Sequence, residues 1–208
     1  MTLQLEVIKV DTRKEQIADI TTIRLKDKVY PFYMNLCYRT YPDADIIETW
    51  TEITHEEKKA ITLNRFASAH LPIRKGDVWV SHLYGSWANE AQLAQEPLRP
   101  GIKMIKNKDG IRNSHTAHAE VMISLDGKPK ENTGSVIGAA LCYSGNYKLF
   151  FDTDDSDYHH FFAGINEENS AYTLKAKESF RTPELALTYS KDGLSGSSRN
   201  FHAWARKH

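Results

Sequence analysis

Apolar and polar residues alternate with a period of two along most of this 208-residue chain. That period fits strands buried on one face and excludes long amphipathic helices. Leu3, Leu5 and Val7 share one face of a first strand. Ile17 to Leu25 and Val29 to Tyr41 follow as a hairpin across Lys26-Asp27-Lys28, and Ile46 to Thr54 alternates again after the turn Pro42-Asp43-Ala44-Asp45. Val78 to Leu83, Gly101 to Ile105, Ala119 to Leu125, Val136 to Tyr143, Lys148 to Thr153, His160 to Ile165 and Leu185 to Tyr189 repeat the pattern. They are separated by breaks such as Asp126-Gly127-Lys128-Pro129 and Ser144-Gly145-Asn146. About a dozen strands in one continuous domain, residues 1–208, predict an all-β fold: a large, mostly antiparallel β-sandwich of two sheets.

Two segments depart from the alternation. Trp87 to Gln95 has helical composition ahead of Pro97 and predicts a short helix or an irregular loop. Near the C-terminus, Phe201, Trp204 and Ala205 share a helical face. Ser195 or Ser197 is the expected cap, and Arg206, Lys207 and His208 suit the last turn.

Lys plus Arg equals Asp plus Glu, 27 of each, so no basic surface argues for nucleic acid as a partner. No apolar run approaches the roughly 18 residues of a membrane span. The amino end lacks a signal-peptide pattern, so the chain as given reads as cytoplasmic. Cys37 and Cys142 lie in apolar-rich runs and are expected to be buried free thiols.

Each motif with catalytic or ligand-binding chemistry has a plainer competitor. Asp152-Thr153-Asp154-Asp155-Ser156-Asp157 has the acids for calcium, but Asp157 stands where the loop needs Gly and Ala163 where it needs Glu, so an acidic turn is expected. His115 and His118 are three apart without a third ligand nearby, and they read as a hydrogen-bonding pair in a loop, not a metal site. His159 and His160 point to opposite faces of a strand. Gly193-Leu194-Ser195-Gly196 is not a nucleophile elbow, because the second Gly comes one residue early. The most unusual segment is Ser81 to Glu90. Around a Gly-Ser break it gathers Tyr84, Trp87, Asn89 and Glu90, whose aromatic faces and polar groups suit a sugar; packing of the aromatics is the competing reading.

This segment and Asn113-Ser114-His115-Thr116-Ala117-His118 resemble the amino-terminal domain of glycoside hydrolase family 36, the α-galactosidases or melibiases. The similarity continues through Tyr38-Arg39-Thr40-Tyr41-Pro42-Asp43-Ala44-Asp45 with Ile47-Glu48, through Tyr143-Ser144-Gly145-Asn146 and through Gly164-Ile165-Asn166. It ends with Thr182-Pro183-Glu184, Gly193-Leu194-Ser195 and Arg199-Asn200-Phe201-His202. Several short motifs in order over most of the chain make the resemblance specific.

The resemblance implies a β-supersandwich with a short C-terminal helix. It also implies that the catalytic aspartates belong to a following (β/α)₈ barrel, so no catalytic residue is expected in this chain. The family's domain is longer at its amino end, and Met1 is expected to fall inside it. The implied role is non-catalytic: packing on the catalytic barrel, supporting a homo-oligomer and shaping access for a galactoside. Tyr84, Trp87, Asn89, Glu90, His115 and His118 are the expected substrate-binding or domain-interface residues. Glycoside hydrolysis by paired carboxyl groups implies no cofactor and no metal. A stand-alone, lectin-like carbohydrate-binding module is the alternative.

Overall fold

A computed structural model describes residues 3–112, 116–168 and 170–208. Three antiparallel sheets and one helix account for the elements. The largest sheet takes both ends of the chain. Its first four strands, β1 (Leu5–Lys14), β2 (Asp19–Asp27), β3 (Phe32–Thr40) and β4 (Ile46–His55), form a meander of consecutive hairpins. Beside β4 lie β16 (Leu185–Ser190), β11 (Val136–Leu141), β10 (Glu120–Ser124), β7 (Trp79–Ser86) and β8 (Asn89–Pro97), in that order. A short tenth strand, β15 (Ser179–Arg181), also pairs with β4.

A four-stranded sheet packs on part of this one, in the order β6 (Ala69–Ile73), β13 (His159–Ile165), β12 (Tyr147–Thr153) and β9 (Gly101–Lys106). The third sheet is the pair β5 (Ile61–Leu63) and β14 (Tyr172–Leu174). The principal core lies between the two larger sheets. Leu149, Phe151 and Phe161 from the small sheet meet Val80, Ile123 and Leu185 from the large one, all with essentially no exposure. Period-two alternation delivers these residues to one face, and burial of each large side chain contributes about 1.5–3 kcal/mol. A second cluster, Phe32, Ile53, Leu63, Leu174 and Phe180, sits under the two-stranded sheet.

Helix α1 (Gly193–Lys207) covers the opposite face of the large sheet, where Phe201 and Trp204 pack with Tyr41, Ile46 and Ala186. It starts earlier than expected. Asp192 occupies the cap without a side-chain bond, and Ser195 and Ser197 lie inside the helix. A side-chain cap is unnecessary because backbone carbonyls take its place. The amides of Gly193, Leu194 and Ser195 donate to the carbonyls of Gly134, Lys130 and Glu131, which meets three of the four donors a helix start leaves open.

Sixteen strands are found among the described residues, more than the dozen read from sequence, because β6, β14 and β15, of three to five residues each, carry little alternation of their own. The expected helix or loop at Trp87–Gln95 is instead the strand β8. Leu83 pairs with Leu93 and Ser81 with Gln95 across a hairpin. Helical composition over so few residues does not outweigh a partner strand. Cys37 is buried as expected, but Cys142 is exposed just past the end of β11; both are free.

Register fixes the direction of the hairpin. Ile46 pairs with Thr188, Val136 with Ser190, Ser124 with Val136 and Trp79 with Ser124. The Trp79 end of β7 therefore lies at the same end of the sheet as the β3–β4 turn. Lys207 and His208 reach Asp43 in that turn. The hairpin tip at Trp87 projects from the other end.

Candidate functional site

The two segments singled out from sequence come together. Beyond β10, residues 116–118 run along the far half of β7: Gly85 N–H donates to Thr116 O (3.1 Å), Tyr84 bridges Ala117, and His118 N–H donates to Leu83 O (3.3 Å). The β7–β8 hairpin tip and residues 116–118 thus form one projection. His115 lies outside the described residues.

Local chemistry shapes the tip. The register shifts between Tyr84 and Ser86, and Ser86 then pairs with Asn89. Gly85 is required there, since a Cβ would stand 2.6 Å from Asn89 O and 2.7 Å from Glu90 Cα. Ala88 and Ala91 both adopt left-handed backbone, with φ of 60° and 55°. The Glu90 carboxylate accepts the Ala88 N–H at 3.0 Å, which offsets part of the cost of that conformation. Glu90 is therefore at least partly committed to the turn.

The remaining candidates face outward. Trp87 is 82% exposed and Tyr84 is 46% exposed. Asn89 is exposed at the turn. His118 Nδ1 stands 3.6 Å from Glu120 Oε1. Aromatic rings and polar groups on an open projection can stack on and bond to a surface brought against them.

The acidic segment after β12 closes on itself as a turn. Asp154 Oδ1 accepts the N–H groups of Ser156 and Tyr158 at 2.8 and 2.9 Å. His159 is buried and bonds Thr153 Oγ1 at 2.8 Å, whereas His160 meets His70 across the outer face at 3.0 Å.

Two polar clusters were missed from sequence. Asn107, Asn146 and Asn166 pin the loop after β9: Asn107 Nδ2 donates to Gly110 O, Gly110 N–H to Asn146 Oδ1, and Asn166 Nδ2 to Asn107 O. Asn146 and Asn166 are the asparagines of two family-like motifs, so those motifs hold residues 107–110 in place. In the other cluster, Glu48 is almost buried and accepts Arg39 Nη1 at 2.7 Å and Tyr41 Oη at 2.6 Å. Trp50 lies between the guanidinium groups of Arg39 and Arg181, 5.1 and 4.4 Å from its ring.

His82, two residues before Tyr84 on β7, is nearly buried, with its Nε2 3.5 Å from Glu96 Oε1. Neither ring nitrogen has a hydrogen-bond partner among the described residues. Burial, and then the Lys103 charge, hold its pKa below the ordinary imidazole value, against the pull of Glu96. The unfolded chain therefore binds this proton more tightly than the native one. The His82 contribution is full above about pH 6.5 and is lost as pH falls toward the lower native value. His82→Gln is expected to lose less melting temperature than the parent between pH 7.5 and 5.5; equal losses in differential scanning calorimetry would contradict this.

The profile of the glycosyl hydrolase family 36 N-terminal domain matches residues 5–175. Among curated proteins, the chain is 31% identical over 192 residues to the α-galactosidase Mel36A of Lactobacillus acidophilus, covering 92% of this chain and 26% of that protein. It is 30% identical over 194 residues to the bifunctional α-galactosidase/sucrose kinase AgaSK of Mediterraneibacter gnavus, covering 93% and 20%. The crystal structure of the α-galactosidase AgaA from Geobacillus stearothermophilus superposes with a TM-score of 0.93 at 23% identity, covering 100% of this chain and 31% of that one. The galactosidase domain of AgaSK gives 0.92 at 27% identity, covering 100% and 30%. The chain thus spans about a quarter of the length of the curated relatives it matches.

Proposed function

Because the chain belongs to the glycosyl hydrolase family 36 N-terminal domain family, we propose that it serves, as one domain over residues 1–208, as the non-catalytic β-supersandwich of an α-galactosidase-like retaining hydrolase. In this reading it packs on a catalytic barrel, contributes to a homo-oligomer and shapes the approach of a galactoside. The barrel supplies the two carboxyl groups of the double displacement.

The observation that carries the reading is the β7–β8 projection. Trp87 stands in solvent on a tip whose backbone is held in strained geometry by Gly85 and Glu90. A rigid, exposed aromatic is suited to complete a site on another surface. His118 and the residues beside it brace this tip, while Tyr84, Trp87 and Asn89 face the partner surface or the sugar.

Two measurements test the reading. The chain alone is expected to release no p-nitrophenol from p-nitrophenyl α-galactoside above the blank; turnover at an enzyme-like rate would end the non-catalytic assignment. The second uses a chimera in which this chain replaces the matching quarter of Mel36A. There Trp87→Ala is expected to lower kcat/KM for raffinose by roughly 10-fold, about 1.4 kcal/mol of transition-state binding. Unchanged kinetics in an active chimera would remove the tip from the substrate approach. For the lectin-like alternative, calorimetry of the chain alone with galactose, melibiose and raffinose is expected to give no heat at millimolar sugar. Binding abolished by Trp87→Ala would favour that alternative.

A further inference from the structure

Strand β1 is one edge of the ten-stranded sheet, and among the described residues only β2 pairs with it. An open edge of this length is a template for another strand unless it is blunted. The register shift between Val7 and Lys9 disturbs its first part. From Lys9 to Lys14 the pairing with β2 is regular, so the outer edge there is straight and free of proline.

Charges along this stretch follow a rule. Lys9, Asp11 and Arg13 share one face, and Glu15 follows just past the strand, so the signs run plus, minus, plus, minus. Neighbours in the row already meet, Lys9 to Asp11 at 2.8 Å and Arg13 to Glu15 at 2.5 Å. All four side chains are substantially exposed. A row of lysines would repel a second strand; this row is neutral.

We propose that β1 is a self-association edge whose occupant is β1 of a second copy, antiparallel about a two-fold axis at Thr12. In that register Lys9 faces Glu15 of the second copy and Asp11 faces its Arg13, and the symmetry repeats both pairs. Moving the axis to Asp11 sets Asp11 against Asp11 and Lys9 against Arg13. Moving it to Arg13 sets Arg13 against Arg13 and Asp11 against Glu15. The charges therefore select one register as well as a partner. A two-fold contact must be self-complementary in this way. The two sheets join into one continuous sheet, with Val10 partly covered by the Lys14 stem of the other copy.

This inference names the surface of the homo-oligomer proposed above and rests on that reading. The test uses two variants of the 208-residue chain. Lys9→Glu with Arg13→Glu makes the row acidic; Asp11→Lys with Glu15→Lys makes it basic. In sedimentation velocity the parent is expected to associate, and each variant alone to associate on the order of 100-fold more weakly, as several facing pairs turn repulsive. An equimolar mixture of the two is expected to recover the parent's mass, which also shows that both variants are folded. A parent that is monomeric at high micromolar concentration would overturn the oligomer reading and this edge with it. A parent that associates with the variants unchanged, or a mixture that fails to recover, would overturn only the β1 edge.

Discussion

In urea titrations, Phe161→Ala will unfold with about 3–5 kcal/mol less stability than the parent, whereas its neighbour Phe162→Ala will lose much less. Phe161 is completely buried between the two larger sheets and stacks on Phe151 with ring centroids 4.8 Å apart. Removing it leaves a void between two sheets that cannot collapse on their own register. Phe162 points to the outer face, where it stacks between His70 and Phe150 at 4.4 and 4.6 Å and keeps some exposure. In heat, the Phe161→Ala loss corresponds to roughly 6–20 °C for a chain of this size. Equal losses at the two positions would mean that the facing of β13 has been misassigned.

Gly193→Ala should have the next largest effect and should act on the helix start. Gly193 has a φ of +62°, a conformation that costs a residue with a Cβ about 1–3 kcal/mol when enforced. The added carbon would also stand 2.4 Å from Lys130 O and 2.7 Å from Thr133 N. Both are backbone atoms of the loop that receives the first helical amides, so neither can swing aside. The expected result is a loosened clasp: faster hydrogen exchange at Gly193, Leu194 and Ser195, with a lower melting temperature. Gly110→Ala is the control, because its φ is +63° but nothing among the described residues stands within 4 Å of the added carbon. It carries the conformational strain without the clash. Identical losses for the two variants would show that the clash contributes nothing.

The strands were legible wherever one face is buried, because a two-residue period survives any change in the loops. Lys148 to Thr153 is the clearest case: the sequence marks it as a strand, and Tyr147, Leu149, Phe151 and Thr153 of β12 are buried on one face while Asp152 is exposed on the other. Asn89–Pro97 was illegible for the opposite reason. Most of β8 is exposed, so burial imposes no alternation on it, and its identity as a strand comes from β7 across the hairpin. The cap of α1 was misread because its partners are carbonyls some sixty residues earlier in the chain, which no local pattern encodes. The polar motifs were visible as motifs but silent about their work. Thr182 is an example: its hydroxyl accepts the Thr51 N–H at 2.9 Å in the place of a backbone carbonyl, while its own N–H donates to Thr51 O at 3.0 Å just before Pro183. The candidate site was half legible. The residue types at the hairpin tip are unusual enough to notice, but the meeting of that tip with residues 116–118 depends on pairing across the sheet.

The end of α1 beside Asp43 and the tip at Trp87 lie at opposite ends of one sheet, joined by an unbroken run of paired strands. Such an arrangement works as a ruler. Its reach is set by strand length, about 3.3 Å per residue, and not by any linker. Adding one residue to each of β7 and β8 would lengthen the arm by one step but turn the tip over. Adding two to each would move Trp87 outward by about 7 Å with its facing preserved. Homologous domains can thus be graded by the length of this arm alone.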